Sequence, residues 1–457
     1  MLKGKHMNKL LITLCCALGL WAASASGEAD LKVGILSDVH LSPPEKFDSQ
    51  GAIDTFRRAL KLFREEKVDA VVIAGDFSND GTMTDLRVSA GVWNEVFGRD
   101  AAAPVKVFVT GNHERGYFEQ AKRKGDFKDP GYADGLHLDV RKNWKELYGE
   151  EWTPFFLKQV KGYTFVGAHW GEWRDEAAFR AFLSANRDKL GPAKPFFYVQ
   201  HDQPLGTCFG DWYRGDGPVA AKVLADYPNA VVFSGHTHCS ISDPRAVWQG
   251  AFTSLCAASI RWLELVPGGA EDVAHRGEKY VRVIPDCWWE PQGLIMSVRG
   301  ERMVFARYDL LNMEKLGEDW SVPVLHGKDE VREFAFDRRR AQSRPPQFAA
   351  GAAVTVSERE GKKGPEIVVG FPSAVGADEL SRAFDYEVVG ECGEGTNRTT
   401  CVKRVFQPGV QLNVKRLPPT VECPFQKSEL PSAPRRFRVT PMNAFGLRGK
   451  SAPRAED

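Results

Sequence analysis

LKVGILSDVH, residues 31–40, is the stretch from which the fold can be read. Its first six residues are apolar apart from Lys32, as in a strand buried on both faces, and the run then breaks into Ser37, Asp38 and His40. The same pattern recurs in AVVIAGD (70–76), VKVFVTGNHE (105–114), YTFVGAHW (163–170), PFFYVQHD (195–202) and AVVFSGHTH (230–238). Each is a short β-branched or aromatic run ending in small or polar residues. Between the first two, Ile53, Phe56, Leu60 and Phe63 recur at three- and four-residue spacing, which predicts a helix from about Ala52 with one apolar face. Strands alternating with helices predict an α/β fold with a largely parallel sheet covered on both faces. In such sheets the ligand crevice lies beyond the carboxyl ends of the strands. The polar residues at these ends are therefore expected to meet.

Past Leu255 the strands become shorter and alternate in polarity. GLIMSVRGERMVFARYDL (293–310) predicts a hairpin turning at Arg299-Gly300. RRRAQSRPP (338–346) is basic and then proline-rich, and residues 336–346 are assigned as a linker. Residues 347–457 contain AAVTVSE, PEIVVGF, FDYEVVG, GVQLNV and RRFRVTPMNAFGLRG, which predict an all-β sandwich domain. That domain holds no cluster of ligand-type residues, so a chain ending near Arg344 is expected to keep whatever site residues 29–335 form.

Composition narrows the class. Lys and Arg total 61 and Asp and Glu total 60, a formal charge of +1, so nothing specifies a nucleic-acid partner. Lys3, Lys5 and Lys9 precede the apolar run Leu10 to Ala23 and the small residues Ser24, Ala25 and Ser26, the order of a secretory signal peptide over residues 1–25. That run is shorter than the ~20 apolar residues of a spanning helix. The expectation is an exported protein, periplasmic or secreted, with no transmembrane segment after signal removal. Seven of the nine cysteines follow the signal. Scattered thiols and one disulfide, with Cys392 and Cys401 as the close pair, are both open.

Five short motifs carry the chemistry: Asp38-Val39-His40, Gly75-Asp76, Gly111-Asn112-His113-Glu114, His201 and Gly235-His236-Thr237-His238. Carboxylate, amide oxygen and imidazole together suit divalent metals of intermediate hardness. Two such ions roughly 3.5–4 Å apart need one shared ligand, and Asp76 stands between the other motifs in sequence. If the chain is extended at these points, DxH and HxH put both their ligands on one side. The glycines before Asp76, Asn112 and His236 are read as tight-turn residues.

In this order the motifs resemble the calcineurin-like metallophosphoesterase superfamily, in particular its bacterial exported members, from about Leu31 to Val324. The resemblance implies a four-layer αββα sandwich over residues 29–335. It implies that Asp38, His40 and His238 bind one metal, that Asn112, His201 and His236 bind the other, and that Asp76 bridges them. It gives His113 the role of a non-ligand imidazole at the leaving group. The ions implied are two divalent or trivalent metals, Mn, Fe or Zn. The reaction implied is hydrolysis of a small phosphoester by a bridging hydroxide, with phosphodiesters the first choice and phosphomonoesters the alternative. A non-catalytic exported binding protein using the C-terminal domain is the other class of reading. Many members carry an Asp three residues after the bridging Asp that orients the acidic His; here Asn79 stands there, followed by Asp80. The partner of His113 is thus open, and the absence of Tyr at this position argues against an iron–tyrosinate centre. The last strand, followed by Asn443-Ala444-Phe445-Gly446, resembles the closing strand of fibronectin type III domains. Glu114, Asp202, His169 and Trp170 are candidates for the surroundings of the site. The basic, aromatic insert 115–151 and the loop Asp211 to Arg214 are candidates for contact with substrate.

Overall fold

The structure, a computed structural model, describes residues 29–46, 48–98, 102–114, 140–209, 217–269, 281–283, 289–407, 409, 418–452 and 455–456. The signal segment, the loop Asp211 to Arg214, Cys287 and most of the insert after Glu114 lie outside these. Among the described residues no helix is long and apolar enough to cross a membrane.

The first sheet is built on β1 (Leu31–Leu36), β2 (Ala70–Ile73) and β3 (Val105–Phe108), all parallel. The second contains β4 (Phe155–Val160), β5 (Tyr163–Ala168), β6 (Phe196–Val199), β7 (Ala230–Ser234), β8 (Val247–Gln249) and β9 (Thr253–Cys256), in the order β4-β5-β6-β7-β9-β8. Within it β5, β6, β7 and β9 are parallel. A short strand, β10 (Val281–Val283), follows. The hairpin β11 (Gln292–Arg299) and β12 (Arg302–Asp309) then returns to the first sheet, where β11 pairs antiparallel with β1. β13 (Glu314–Lys315) and β14 (Trp320–Pro323) both pair with β12. The hairpin turns at Gly300-Glu301, with Arg299 opposite Arg302, one residue beyond the predicted turn.

Alternation along the strands sets up the layers. Val33 and Ile35 of β1 and Val72 of β2 share one core with Phe165, Phe197 and Phe233 of the second sheet. The intervening residues, Leu36, Val71 and Ile73, pack with Phe56, Leu60 and Phe63 of α1 (Ser49–Glu65). They also pack with Trp93 of α2 (Met83–Phe97) and Trp144 of α3 (Val140–Tyr148). On the second sheet, Val166, Tyr198 and Val232 face Phe179 of α4 (Glu176–Ala185) and Val223 of α5 (Val219–Leu224).

The assigned linker is partly helical and anchored at a few positions, although most of its residues are exposed. Phe336–Gln342 forms α6, and Arg339 within it is 5% exposed. Beyond it come β15 (Thr355–Gly361), β16 (Gly364–Pro372), β17 (Asp385–Cys392), β18 (Thr399–Phe406), β19 (Thr420–Gln426), β20 (Arg435–Met442) and β21 (Ala455–Glu456). They form the sheets β15-β16-β19 and β10-β18-β17-β20-β21, and these share a core through Ile367, Phe425, Tyr386, Val405 and Phe437. β18 and β19 were not among the predicted strands, and most of GVQLNV lies outside the described residues. The strand β10 belongs by sequence to the region before the linker, yet it pairs with Lys403–Val405 of β18. Cys392 and Cys401 are both free, set opposite Thr399 and Gly390 on paired strands.

The two regions are also joined by side chains. Leu265 packs with Phe384, Phe406 and Phe445. Arg307 on β12, fully buried, makes a bidentate pair with Glu379 at 2.7 and 3.1 Å and donates to the Ile241 carbonyl at 3.0 Å. A chain ending near Arg344 would lose these contacts. Such a chain should unfold at a clearly lower temperature than the full chain by calorimetry. Glu379→Ala, which leaves a buried guanidinium without its carboxylate, should cost about 2 kcal/mol in urea unfolding, below the usual loss for a broken buried pair because Glu379 is partly exposed.

Candidate metal centre

The ends of β1, β2, β3, β6 and β7 deliver Asp38, Asp76, Asn112, His201 and His236 within four residues of the last strand position. They do so with an unusual backbone. Asp38 (φ 52°), His40 (47°), Asp76 (54°), His236 (65°) and His238 (51°) all adopt the left-handed conformation that non-glycine residues seldom take. DxH and HxH are therefore not extended, and simple alternation is not what aims their side chains. The turns are locked to one another instead: the Asp76 carbonyl accepts from Val39 N at 2.8 Å and His40 N at 2.9 Å, and His201 O accepts from Gly235 N at 2.8 Å.

The side chains meet as two adjoining groups. In the first, His238 Nε2 lies 3.0 Å from Asp38 Oδ1 and 3.2 Å from His40 Nε2. In the second, His201 Nε2 lies 3.1 Å from Asp76 Oδ2 and 3.0 Å from Asn112 Oδ1. Asp76 Oδ2 is also 3.7 Å from His40 Nε2, so it touches both groups. Ligand-type atoms of Asp38, His40 and His238, and of Asp38, Asp76 and His201, fall within 4.8 Å of one another. His236 sits beside the second group, its ring centroid 5.1 Å from that of His201 and its Nε2 3.4 Å from Asp202 Oδ1. The structure thus brings together all seven residues assigned as ligands from the sequence.

The tautomers show what this arrangement fits. His201 Nδ1 is 2.7 Å from the Ala74 carbonyl and His238 Nδ1 is 3.2 Å from the Trp262 carbonyl, so each Nδ1 carries the hydrogen. In the neutral ring Nε2 is then a lone pair, and it faces carboxylate or amide oxygen, Asp76 and Asn112 for His201 and Asp38 for His238. Either a proton or a cation must reconcile them. Burial lowers the pKa of His201, but the carboxylates of Asp76, Asp38 and Asp202 together outweigh it and hold the ring well above its ordinary value. Burial pushes the Asp38 and Asp76 carboxyls up, yet the surrounding imidazoles keep both below the carboxylate range. Buried carboxylate, amide oxygen and backbone-oriented imidazole form a donor set that fits metal ions.

A buried carboxylate organises the loops. Glu114, 1% exposed, accepts from Asp76 N (3.0 Å), Ser78 N (2.9 Å), Ser78 Oγ (3.1 Å) and Gly111 N (2.7 Å), tying the Asp76 loop to the Asn112 loop. His113 donates its backbone N–H to Asp76 Oδ1 at 2.9 Å, and its Nε2 lies 3.8 Å from Asp76 Oδ2. Its Nδ1 is 2.5 Å from the backbone carbonyl of Asn79, the partner that the sequence left open. His169 turns out to be a packing residue: it is 1% exposed, accepts from Thr110 N at 3.0 Å and stacks on Trp152. Trp170 lies under the Arg174 guanidinium at 4.8 Å, and Arg174 is 3.9 Å from Asp202. Two residues that no motif marked also border the centre. The Trp262 ring lies 4.6 Å from His40 and 4.3 Å from His238, and Arg261 donates to the His40 carbonyl at 2.6 Å.

Two of the motif glycines serve close approach more than turning. A Cβ on Gly111 would lie 2.1 Å from Asp76 Oδ1, and one on Gly235 would lie 2.2 Å from Asp38 Oδ2; neither has a positive φ. Gly111→Ala and Gly235→Ala should each push a carboxylate out of place and lower metal affinity by about 10-fold or more, read by titrating metal into the stripped protein.

Residues 31–240 match the family model described as calcineurin-like phosphoesterase. No protein of curated function matches the chain. Among solved structures the chain is similar to a dimetal phosphatase from Danio rerio, at 15% identity over 65% of this chain and 100% of that one, with a TM-score of 0.37. It is similar to a purple acid phosphatase from yellow lupin (Lupinus luteus), at 12% identity over 64% and 53%, with a TM-score of 0.41. It is also similar to a phosphoesterase from E. coli, at 12% identity over 64% and 100%, with a TM-score of 0.28. With its ligand-type residues at the strand ends, the stretch 31–240 is a calcineurin-like phosphoesterase domain.

Proposed function

We propose that this chain is an exported, dinuclear metal-dependent phosphoesterase that favours phosphodiesters, built as a four-layer αββα domain followed by a fibronectin type III-like sandwich. The observation that carries the reading is the convergence of buried ligand-type atoms: the oxygens of Asp38, Asp76 and Asn112 and the Nε2 atoms of His40, His201 and His238 face one another within a few ångströms. Asp38, His40 and His238 would hold one ion, Asn112, His201 and His236 the other, and Asp76 both. Because His236 Nε2 faces Asp202, Nδ1 is the nitrogen assigned to the metal. Such a pair of ions supplies a hydroxide nucleophile at neutral pH and neutralises phosphate charge. Mn, Fe and Zn all suit these donors.

The chain's own contribution begins with orientation. Ala74 O and Trp262 O fix the His201 and His238 rings, and Glu114 fixes the spacing of the two loops that meet at Asp76. His113, oriented by Asn79 O, presents Nε2 at the edge of the centre and would donate a proton to the leaving alkoxide. The N-terminal charged and apolar run supports export, and the diester preference rests on the resemblance to bacterial phosphodiesterases.

Four outcomes are expected. Chelation should abolish hydrolysis, and added Mn²⁺, Zn²⁺ or Fe²⁺ should restore it. Asp76→Ala should leave the protein short of metal by elemental analysis and inactive, and full turnover of metal-free protein would sink the reading. Across mono-, di- and pyrophosphate esters, diesters should give the highest kcat/KM; a preference for monoesters would overturn that part alone. His113→Ala should lose about 10²- to 10⁴-fold on an alkyl ester and far less on a p-nitrophenyl ester, whose leaving group needs no proton. Equal losses would remove His113 from the acid role.

A further inference from the structure

We infer that Arg261 is a positioning residue for His113: by gripping the Asn79 side chain, it fixes the peptide carbonyl that orients the imidazole. The inference rests on the reading of His113 given above. Arg261 lies in the stretch after β9 that returns beneath the centre, and it is 6% exposed. Its Nη1 donates to the His40 carbonyl at 2.6 Å and to Asn79 Oδ1 at 3.3 Å. One guanidinium nitrogen thus spans the turn that carries a ligand and the residue that faces His113.

Asn79 is held at its other polar ends as well. Its backbone N–H donates to Leu41 O at 3.0 Å, and its Nδ2 donates to Asp80 Oδ1 at 2.9 Å. With Oδ1 taken by Arg261, the remaining backbone carbonyl meets His113 Nδ1 at 2.5 Å. The imidazole therefore carries its hydrogen on Nδ1 and turns Nε2 inward, 3.8 Å from Asp76 Oδ2 and edge-on to the His40 ring at 4.4 Å. A peptide carbonyl can orient a ring only as well as its own residue is fixed. A carboxylate in place of Asn79 would be drawn into an ion pair with Arg261, so the amide and the guanidinium make a matched pair.

The test uses the full chain. Arg261→Met loaded with Mn²⁺ should lose about 10-fold or more on an alkyl phosphodiester, the usual cost of losing a group that orients a functional imidazole, and about 2-fold at most on the p-nitrophenyl diester. Its metal content should be unchanged. Asn79→Ala should show the same pattern, and the double variant should be no worse than either single one, because both remove one link. A second readout needs neither metal nor turnover. Nitrogen-15 NMR of histidine-labelled, metal-free protein, with His113 assigned by its absence in His113→Ala, should show the Nδ1–H tautomer in the wild type and a mixture in Arg261→Met. Equal losses on both esters, loss of metal, or an unchanged Nδ1–H tautomer would overturn the inference. If His113→Ala itself loses equally on both esters, the acid role falls, and the NMR result still decides separately whether Arg261 sets the ring.

Discussion

Two aspartates wholly withdrawn from water, sharing one pocket with three inward-facing imidazole nitrogens, are the constraint on which the rest of this molecule depends. Burying charge and acceptors together is costly, and the protein's own donors to the two carboxylates are single backbone N–H groups, from His236 to Asp38 and from His113 to Asp76. The surrounding structure holds the arrangement in spite of that cost. The left-handed backbone at five of the ligand-type residues keeps their side chains aimed inward from the turns. The bare Cα atoms of Gly111 and Gly235 let the carboxylates come close, and Glu114 collects three backbone N–H groups from the two loops that must stay in register.

The centre also depends on residues far along the chain. The run directly after His238 is gripped by arginines at its carbonyls: Arg307 at Ile241, Arg382 at Ser242, and Arg339 at Pro244 and Val247. Arg382 comes from the C-terminal β region and Arg339 from α6. Gly268 N donates to Asp385, itself paired with Arg404, which ties the stretch after Trp262 to the same region. The exchange of β10 into the C-terminal sheet makes this a continuous structure.

The polar candidates around the centre divide by what they touch. Asp202 and Glu114 bind groups of the centre itself, His236 and the loop amides respectively. His169 shares their position at a strand end but turns into an aromatic cage of Trp144, Trp152 and Phe156. The difference is which face of the strand end the side chain takes. Residue type alone does not encode that once the chain leaves the regular pleat.

Much of this protein could be read without coordinates because the signals are local. Buried strands announce themselves as short apolar runs, α1 by the spacing of Phe56, Leu60 and Phe63, and the centre by ligand-type residues recurring at strand ends in one order. What tertiary structure decided is of another kind. The partner of His113 is a peptide carbonyl, which every residue possesses, so no side-chain code could name it. Arg261, Trp262 and Arg382 belong to no motif and gain their roles by folding next to residues up to about two hundred positions away. The basic segment 338–342 reads as linker by composition, yet Arg339 within it is buried, its guanidinium donating to carbonyls of a distant turn. Local chemistry sets which elements form and which residues can bind a metal. Long-range packing sets which nitrogen faces inward, what orients it, and which charges leave water.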